Sequence, residues 1–301
     1  MGLQDVPAGG VSFKDLAVDR ELAREIQIRL RDLGILDPPV DGDLGPVSRL
    51  ALKVFSKLVG EPFDEETVSK PIAKALVENS SASLLPVEPG DDFAGKIIKY
   101  MQLKDYWLAR APNFLNIVYV EGVDEDGALN DDAPNKWNDR RLVIQIKNKK
   151  PVIVGNWDAT TEPGRHFVVT PMNPKGAARI AFGQYKSWRV GFHNASKPSR
   201  HEALVQVDVI TVHRDLNKDF KRTGDKTDVG SGFAVNQHKG FNMPVGDIGK
   251  ASAGCLVGRT NKGHEEFMAL VKTDPRYKEA TKGYKFMTTV IAGDDLKKTI
   301  G

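Results

Sequence analysis

The chain's one cysteine, Cys255, lies in the segment Ser252-Ala-Gly-Cys255-Leu-Val, and His238 stands seventeen positions upstream in Val235-Asn-Gln-His238-Lys-Gly240. A free thiol titrates near ~8.5, so only a few per cent is thiolate at neutral pH. A histidine within reach raises the nucleophilic fraction by taking the proton and holding the resulting ion pair. Small residues ahead of the cysteine let the chain turn tightly. Such a turn offers backbone N–H groups to a developing oxyanion, a stabilisation of ~3 kcal/mol per donor. A lone cysteine is more often a small buried hydrophobe. Cys255 differs in sitting in a Ser-Ala-Gly-Cys turn, downstream of a strand-like run that ends in His-Lys-Gly. These types and spacings point to a cysteine nucleophile with a histidine base.

Other polar constellations are weaker. Asp215, Asn217 and Asp219 alternate as calcium-loop oxygens do, but Phe220 stands where such a loop needs glycine and Lys226 where it needs the final acid, so a hydrogen-bonded turn is expected. His213, at a strand end, is expected near the active site on the substrate side. Thr160–Gly164 and Pro171–Pro174, with Gly183–Tyr185 and Trp188 nearby, read equally as cleft lining and as loop closure. His264 and Glu265 read as an exposed first helical turn. His166, His193 and His201 have no spacing that suggests zinc, and no metal site is expected.

The elements that must position these groups fall into two textures. From Asp19 to Glu78 the chain reads as three helices: Leu22, Ile26, Leu30 and Leu33 recur at helical steps before Gly34, Ser48 caps a second run through Leu58, and a third spans Glu65–Glu78. Asn79–Asp92, rich in Ser, Pro and acid, reads as a connector. Beyond it, β-branched runs predict strands at Leu115–Val120, Arg141–Ile146, Pro151–Val154, Ala203–Ile210 and Phe286–Ile291, with helices at Gly95–Leu108 and His264–Val271. The expected class is α+β: a small helical bundle over 15–80, a linker over 81–94 and a mainly β domain with edge helices over 95–301.

The 301 residues are 40% hydrophobic and 28% charged, which fits a globular core, and a net charge of +3 gives no reason to expect nucleic-acid binding. No apolar stretch approaches the ~18 residues of a membrane span. The N-terminal MGLQDVPAGGVSFKDLAVDR has no basic segment followed by an apolar run. Action outside the cytoplasm would therefore require lysis, a secretion apparatus or a removed leader.

The pairing of His238 and Gly240 with Ser252, Gly254, Cys255 and Leu256 resembles the L,D-transpeptidase catalytic-domain family of peptidoglycan enzymes. The resemblance implies Cys255 as nucleophile, His238 as base, Ser252 and Gly254 as turn residues, and a substrate side that includes Gly240. Three positions depart from the family pattern: Lys239 is inserted between histidine and glycine, Ala253 replaces a polar residue whose place His213 is expected to take, and Val257 stands where arginine is usual, with Arg259 two positions later expected to reach the substrate carboxylate instead. The implied reaction forms a thioester on a stem peptide of peptidoglycan and resolves it with an amine or with water, without metal or nucleotide cofactor. Upstream, Ile26-Gln27, Leu30, Leu33-Gly34, Val40-Asp41-Gly42, Leu44-Gly45-Pro46, Arg49, Ala51-Leu52 and Phe55 resemble the three-helix peptidoglycan-binding domain, which implies wall binding around Asp41, Gly42 and Gly45. The combined expectation is a cell-wall enzyme, tilted toward a lytic role such as a phage endolysin or an injected toxin. The competing expectation is a non-catalytic wall binder with a decayed catalytic fold.

Overall fold

A computed structural model describes all 301 residues, the side chain of Lys282 excepted. The expected α+β class holds. The N-terminal part begins with β1 (Val11–Ser12) and a helical turn, α1 (Phe13–Leu16), followed by α2 (Arg20–Asp32), α3 (Pro46–Val59), β2 (Thr67–Val68) and α4 (Lys70–Glu78). Asp19 caps α2 by accepting from the Leu22 N–H at 3.1 Å, and Gly60 ends α3 in the left-handed region at φ 74°. Leu22, Ile26, Leu30, Ala51, Leu52, Phe55, Ile72 and Leu76 close one apolar core. The third helix is shorter than its expected span: Pro71 starts it, and Thr67 and Val68 pair with Ser12 and Val11 instead.

The expected connector contains a helical turn, α5 (Ser81–Leu84), and is docked rather than free. The Glu88 N–H donates to the Lys149 carbonyl at 2.8 Å, and Val87 packs on the next core.

After α6 (Phe93–Leu103) come β3 (Asn116–Glu121), β4 (Asp139–Lys147), β5 (Lys150–Thr160), α7 (Arg165–Val169), β6 (Ala177–Ile180), β7 (Gly183–His193), β8 (His201–Gln206), β9 (Ile210–Asp215), β10 (Lys226–Gly230), β11 (Gln237–Lys239) and β12 (Leu256–Gly258). The chain ends with α8 (Asn261–Val271), α9 (Pro275–Ala280), β13 (Phe286–Ala292) and α10 (Gly293–Ile300). Eight strands close a barrel in the order β11-β12-β5-β4-β3-β13-β7-β8, and β10, β9 and β6 form a separate sheet. The expected single run Ala203–Ile210 is two strands, because Val207–Val209 carries the chain from the barrel to that second sheet.

Alternation sorts the side chains. Ile117, Tyr119, Val143 and Leu256 face the barrel interior with Trp188, Leu204 and Val290, whereas Val118, Val120, Leu142 and Ile144 pack outward on Ile97, Ile98 and Met101 of α6 and Leu296 of α10. Among the described residues, no helix is long and apolar enough to cross a membrane.

The helical part is locked to the barrel by a buried ionic junction. The fully buried Asp37 carboxylate pairs with Lys186 of β7 at 2.8 Å and lies 3.8 Å from Arg276 of α9, while the Tyr284 hydroxyl donates to it at 3.4 Å. The Trp107 indole N–H donates to the Arg31 carbonyl at 2.9 Å across the same interface.

Candidate active site

Two adjacent parallel strands carry the predicted pair. Gln237, His238 and Lys239 of β11 lie beside Leu256, Val257 and Gly258 of β12. Gln237 and Leu256 turn into the barrel, where the Gln237 amide donates to Thr288 Oγ1 at 2.8 Å. Strand alternation therefore puts His238 on the outer face, together with Val257 and, two residues before it, Cys255. Cys255 and Val257 pack there with Trp137 and Ile248.

The turn before Cys255 is built by the residues the sequence singled out. The Ser252 hydroxyl accepts the Gly254 N–H at 3.1 Å and donates to the Cys255 carbonyl at 3.0 Å, spanning the turn from inside. Gly254 adopts φ +118°, and a Cβ there would lie 2.3 Å from the Ala178 carbonyl oxygen, so glycine is required twice over. The Leu256 N–H is taken by the Asn236 carbonyl. Of the three amides Gly254, Cys255 and Leu256, that of Cys255 is the one without a partner among the described residues.

The thiol and the imidazole do not meet in this conformation. Cys255 is 8% exposed, and its sulfur donates to the Ala234 carbonyl at 3.4 Å. Burial pushes the thiol up to about 11, with the Asn236 backbone N–H drawing it the other way. His238, 2% exposed, donates from Nδ1 to the Lys239 carbonyl at 2.8 Å and stacks on His193, with ring centroids 3.9 Å apart and planes 13° from parallel. Its ring lies against His193 of β7 and near His201 of β8, and no hydrogen bond joins it to Cys255 among the described residues. Burial, then the neighbouring His193, holds it far below the ordinary imidazole range, so it is neutral at pH 7.

Four of the six histidines gather here, which sequence spacing did not reveal. His201 lies 5.4 Å from His193 and 5.8 Å from both His238 and His264, ring to ring. His264 is buried rather than exposed as expected: its Nε2 donates to the Glu202 carbonyl at 2.8 Å, because the first turn of α8 faces the barrel mouth. Next to it Arg141 is fully buried without a carboxylate partner, packed 4.0 Å over the Phe267 ring.

Arg259 pairs with Asp158 at 3.0 Å and donates to the Met243 carbonyl at 3.3 Å. Gly240 is required because a Cβ would fall 2.4 Å from the Trp137 ring. His213 sits in β9 between Arg179 of β6 and Thr227 of β10, one strand beyond Ala178, and makes no hydrogen bond to the cysteine turn. Trp188 is a core residue at 0% exposure and not a cleft aromatic. The Asp215–Asp219 loop is the hydrogen-bonded turn expected of it: the Asp215 carboxylate accepts the Asp219 and Phe220 amides, both at 3.1 Å.

A charged cavity of about 460 Å³ opens beside β6, lined by Glu121, Asp132, Glu162, Arg179 and Arg222. Carboxylate oxygens of Glu121, Asp132 and Glu162 come within 4.8 Å of one another. However, Arg222 pairs with Glu121 and Arg179 with Glu162, so a cation there would meet two guanidinium groups.

In the helical part, Gln27 organises the loop expected to bind wall. Its side chain donates to Asp41 Oδ1 at 2.9 Å and to the Asp43 carbonyl at 2.8 Å, and accepts the Asp41 and Gly42 amides at 3.1 and 2.7 Å. Asp41 and Gly42 (φ +78°) thus shape the loop. Gly45 precedes α3 with open space around it. Asp41 and Gly45 border a groove of about 430 Å³ whose far wall is Lys186 and Glu279 of the barrel part.

No family model matches the chain, and no curated protein matches it. Among solved structures, the chain is similar to a fused Zn-dependent amidase/peptidase/peptidoglycan-binding domain-containing protein from Clostridium acetobutylicum at 12% identity and a TM-score of 0.27, covering 93% of this chain and 96% of that one. It is likewise similar to an L,D-transpeptidase from Xylanimonas cellulosilytica at 12% identity and a TM-score of 0.21, covering 89% of this chain and 92% of that one.

Proposed function

We propose that the chain is a peptidoglycan-directed cysteine enzyme. The reading rests on one observation: Cys255 and His238 share the outer face of two adjacent parallel strands, behind a Ser252–Gly254 turn that leaves the Cys255 amide without a partner. In this reading His238 takes the thiol proton and the thiolate attacks the carbonyl of the third stem-peptide residue. The C–N bond to the terminal D-alanine breaks, and the proton passes from His238 to the leaving amine. Water or a second amine then resolves the thioester, returning the thiol. The chain acts at the cell wall or in the periplasm, and the loop held by Gln27 supplies wall affinity around Asp41.

A specific observation favours a second reading, a non-catalytic wall binder. The His238 ring is stacked on His193, and the thiol, which burial keeps protonated, donates to the Ala234 carbonyl instead. Incubation with purified peptidoglycan and mass analysis of the fragments separates the two. Loss of D-alanine or new 3–3 linked dimers, abolished in Cys255→Ala, is expected of the enzyme. Unchanged wall that still retains the protein is the outcome that refutes it.

A further inference from the structure

The His193–His238 stack has a role to be assigned beyond the nucleophile reading, on which the following rests. We propose that His193 is a positioning residue that holds His238 in an idle place, and that His238 accepts the Cys255 proton only after its ring leaves the stack and turns toward β12.

Three features carry this. First, the stack is anchored. The Asn236 side chain donates to His193 Nδ1 at 3.0 Å while its oxygen accepts the Gln206 N–H at 2.9 Å, which fixes the His193 ring as a flat wall. Second, the place is made by small residues. Gln237 pairs with Leu204, so His238 follows beside Ala203, and Ala203 pairs with Gly191. Val205 covers Gly191, where a Cβ would lie 2.7 Å from its Cγ2, so the low relief beside Ala203 leaves room for the His238 ring against His193. Third, the same position on β11 offers two directions. Toward β8 the ring finds His193, and toward β12 it finds the outer face that carries Cys255. In the stack, His238 Nδ1 is spent on the Lys239 carbonyl, and Nε2 makes no hydrogen bond among the described residues.

The surroundings argue that the stacked ring is a poor proton acceptor. His193, His201 and His264 face it with potentially positive rings, Lys197 lies on the far side of His193, Arg141 and Lys239 stand behind His264, and the nearby carboxylate of Glu202 is taken by Lys272 at 2.7 Å. An imidazolium formed there would have no counter-ion, whereas beside Cys255 the thiolate supplies one.

The test reads the thiol directly. In the full chain, the rate at which iodoacetamide alkylates Cys255 is followed against pH for wild type, His193→Ala, His193→Phe and the His193→Ala/His238→Ala double variant, each checked for a cooperative melt. His193→Ala is expected to speed alkylation at pH 7 by about three- to tenfold, the worth of one aromatic pair, and to add an inflection in the imidazole range. His193→Phe keeps a face to stack on and stays near wild type. The double variant returns to the slow rate, since the gain needs the base.

An unchanged rate in His193→Ala overturns the proposal. So does a double variant as fast as His193→Ala, because the gain would then come from opening alone. Should His193→Ala fail to fold, His193→Leu, which fills the volume without a stacking face, takes its place with the same expectations. Failure of the proposed function reads differently. A His238-dependent gain in thiol reactivity with no product on peptidoglycan refutes the enzyme and leaves the stack's role standing.

Discussion

Alkylation of wild-type Cys255 across a pH range measures how far the buried thiol is from activation. With the thiol pushed up to about 11, its thiolate fraction at pH 7 is on the order of one in ten thousand, against about 3% for a free cysteine near ~8.5. That is a deficit of about 300-fold. A more basic thiolate is intrinsically the better nucleophile, and a Brønsted slope of ~0.4–0.5 over ~2.5 pH units returns about tenfold. Wild-type Cys255 should therefore react with iodoacetamide about 30-fold more slowly than a free cysteine peptide at pH 7, before any loss from burial itself. The more diagnostic quantity is the profile: the rate should climb about tenfold per pH unit from pH 7 to about pH 10 without levelling. The assay is pseudo-first-order alkylation followed by intact mass. A plateau with a midpoint below about pH 8 would refute the reasoning, since it would mean that the sulfur already shares its proton with a base.

Three further outcomes follow from named contacts. Gly254→Ala forces a side chain into φ +118° and against the Ala178 carbonyl, and should cost at least about 2 kcal/mol in urea unfolding; an unchanged midpoint contradicts the turn geometry. Gln27→Leu keeps volume but strands the Asp41 and Gly42 amides, and should cost about 2–3 kcal/mol by calorimetry together with any affinity for wall sacculi; full retention of both contradicts the loop's dependence on Gln27. Burial pushes the Asp37 carboxyl up, but Lys186 and Arg276 outweigh it and hold the carboxyl below the usual carboxylate range. Its contribution is therefore complete above the unfolded value of ~3.9 and is lost as pH falls through the lower folded value. Asp37→Asn should cost about 3 kcal/mol at pH 7 and flatten the acid limb of stability against pH; an acid limb identical to wild type would show that another group carries it.

How much of this was readable beforehand depends on the range of the interactions. The Ser252–Cys255 turn is local, and its residue types dictated the contacts later seen: serine to span it, glycine for a left-handed φ. The helical spacing of Leu22, Ile26 and Leu30 is equally local. Closure of the barrel was not readable, because β3 pairs with β13 across most of the domain and β7 pairs with that same strand. The histidine gathering was hidden for the same reason: 193, 201, 238 and 264 come from four elements, and each looks isolated in the chain. His264 was misjudged because an N-terminal helical turn is usually solvated, whereas here the barrel mouth receives it. Trp188, which its turn-rich flanks left open between cleft and loop closure, lies in the core because its indole N–H is satisfied inside by the Val235 carbonyl.

The Asp37 junction bears on how the molecule comes apart. A carboxylate with no access to solvent, bridging a loop of the helical part to β7 and α9, cannot be parted from its cations without exposing all of them at once. Nicking the segment between Leu85 and Asp92 with a protease would leave two fragments still clasped, migrating as one species and melting in a single transition, so the chain's apparent tether is not what holds its halves together.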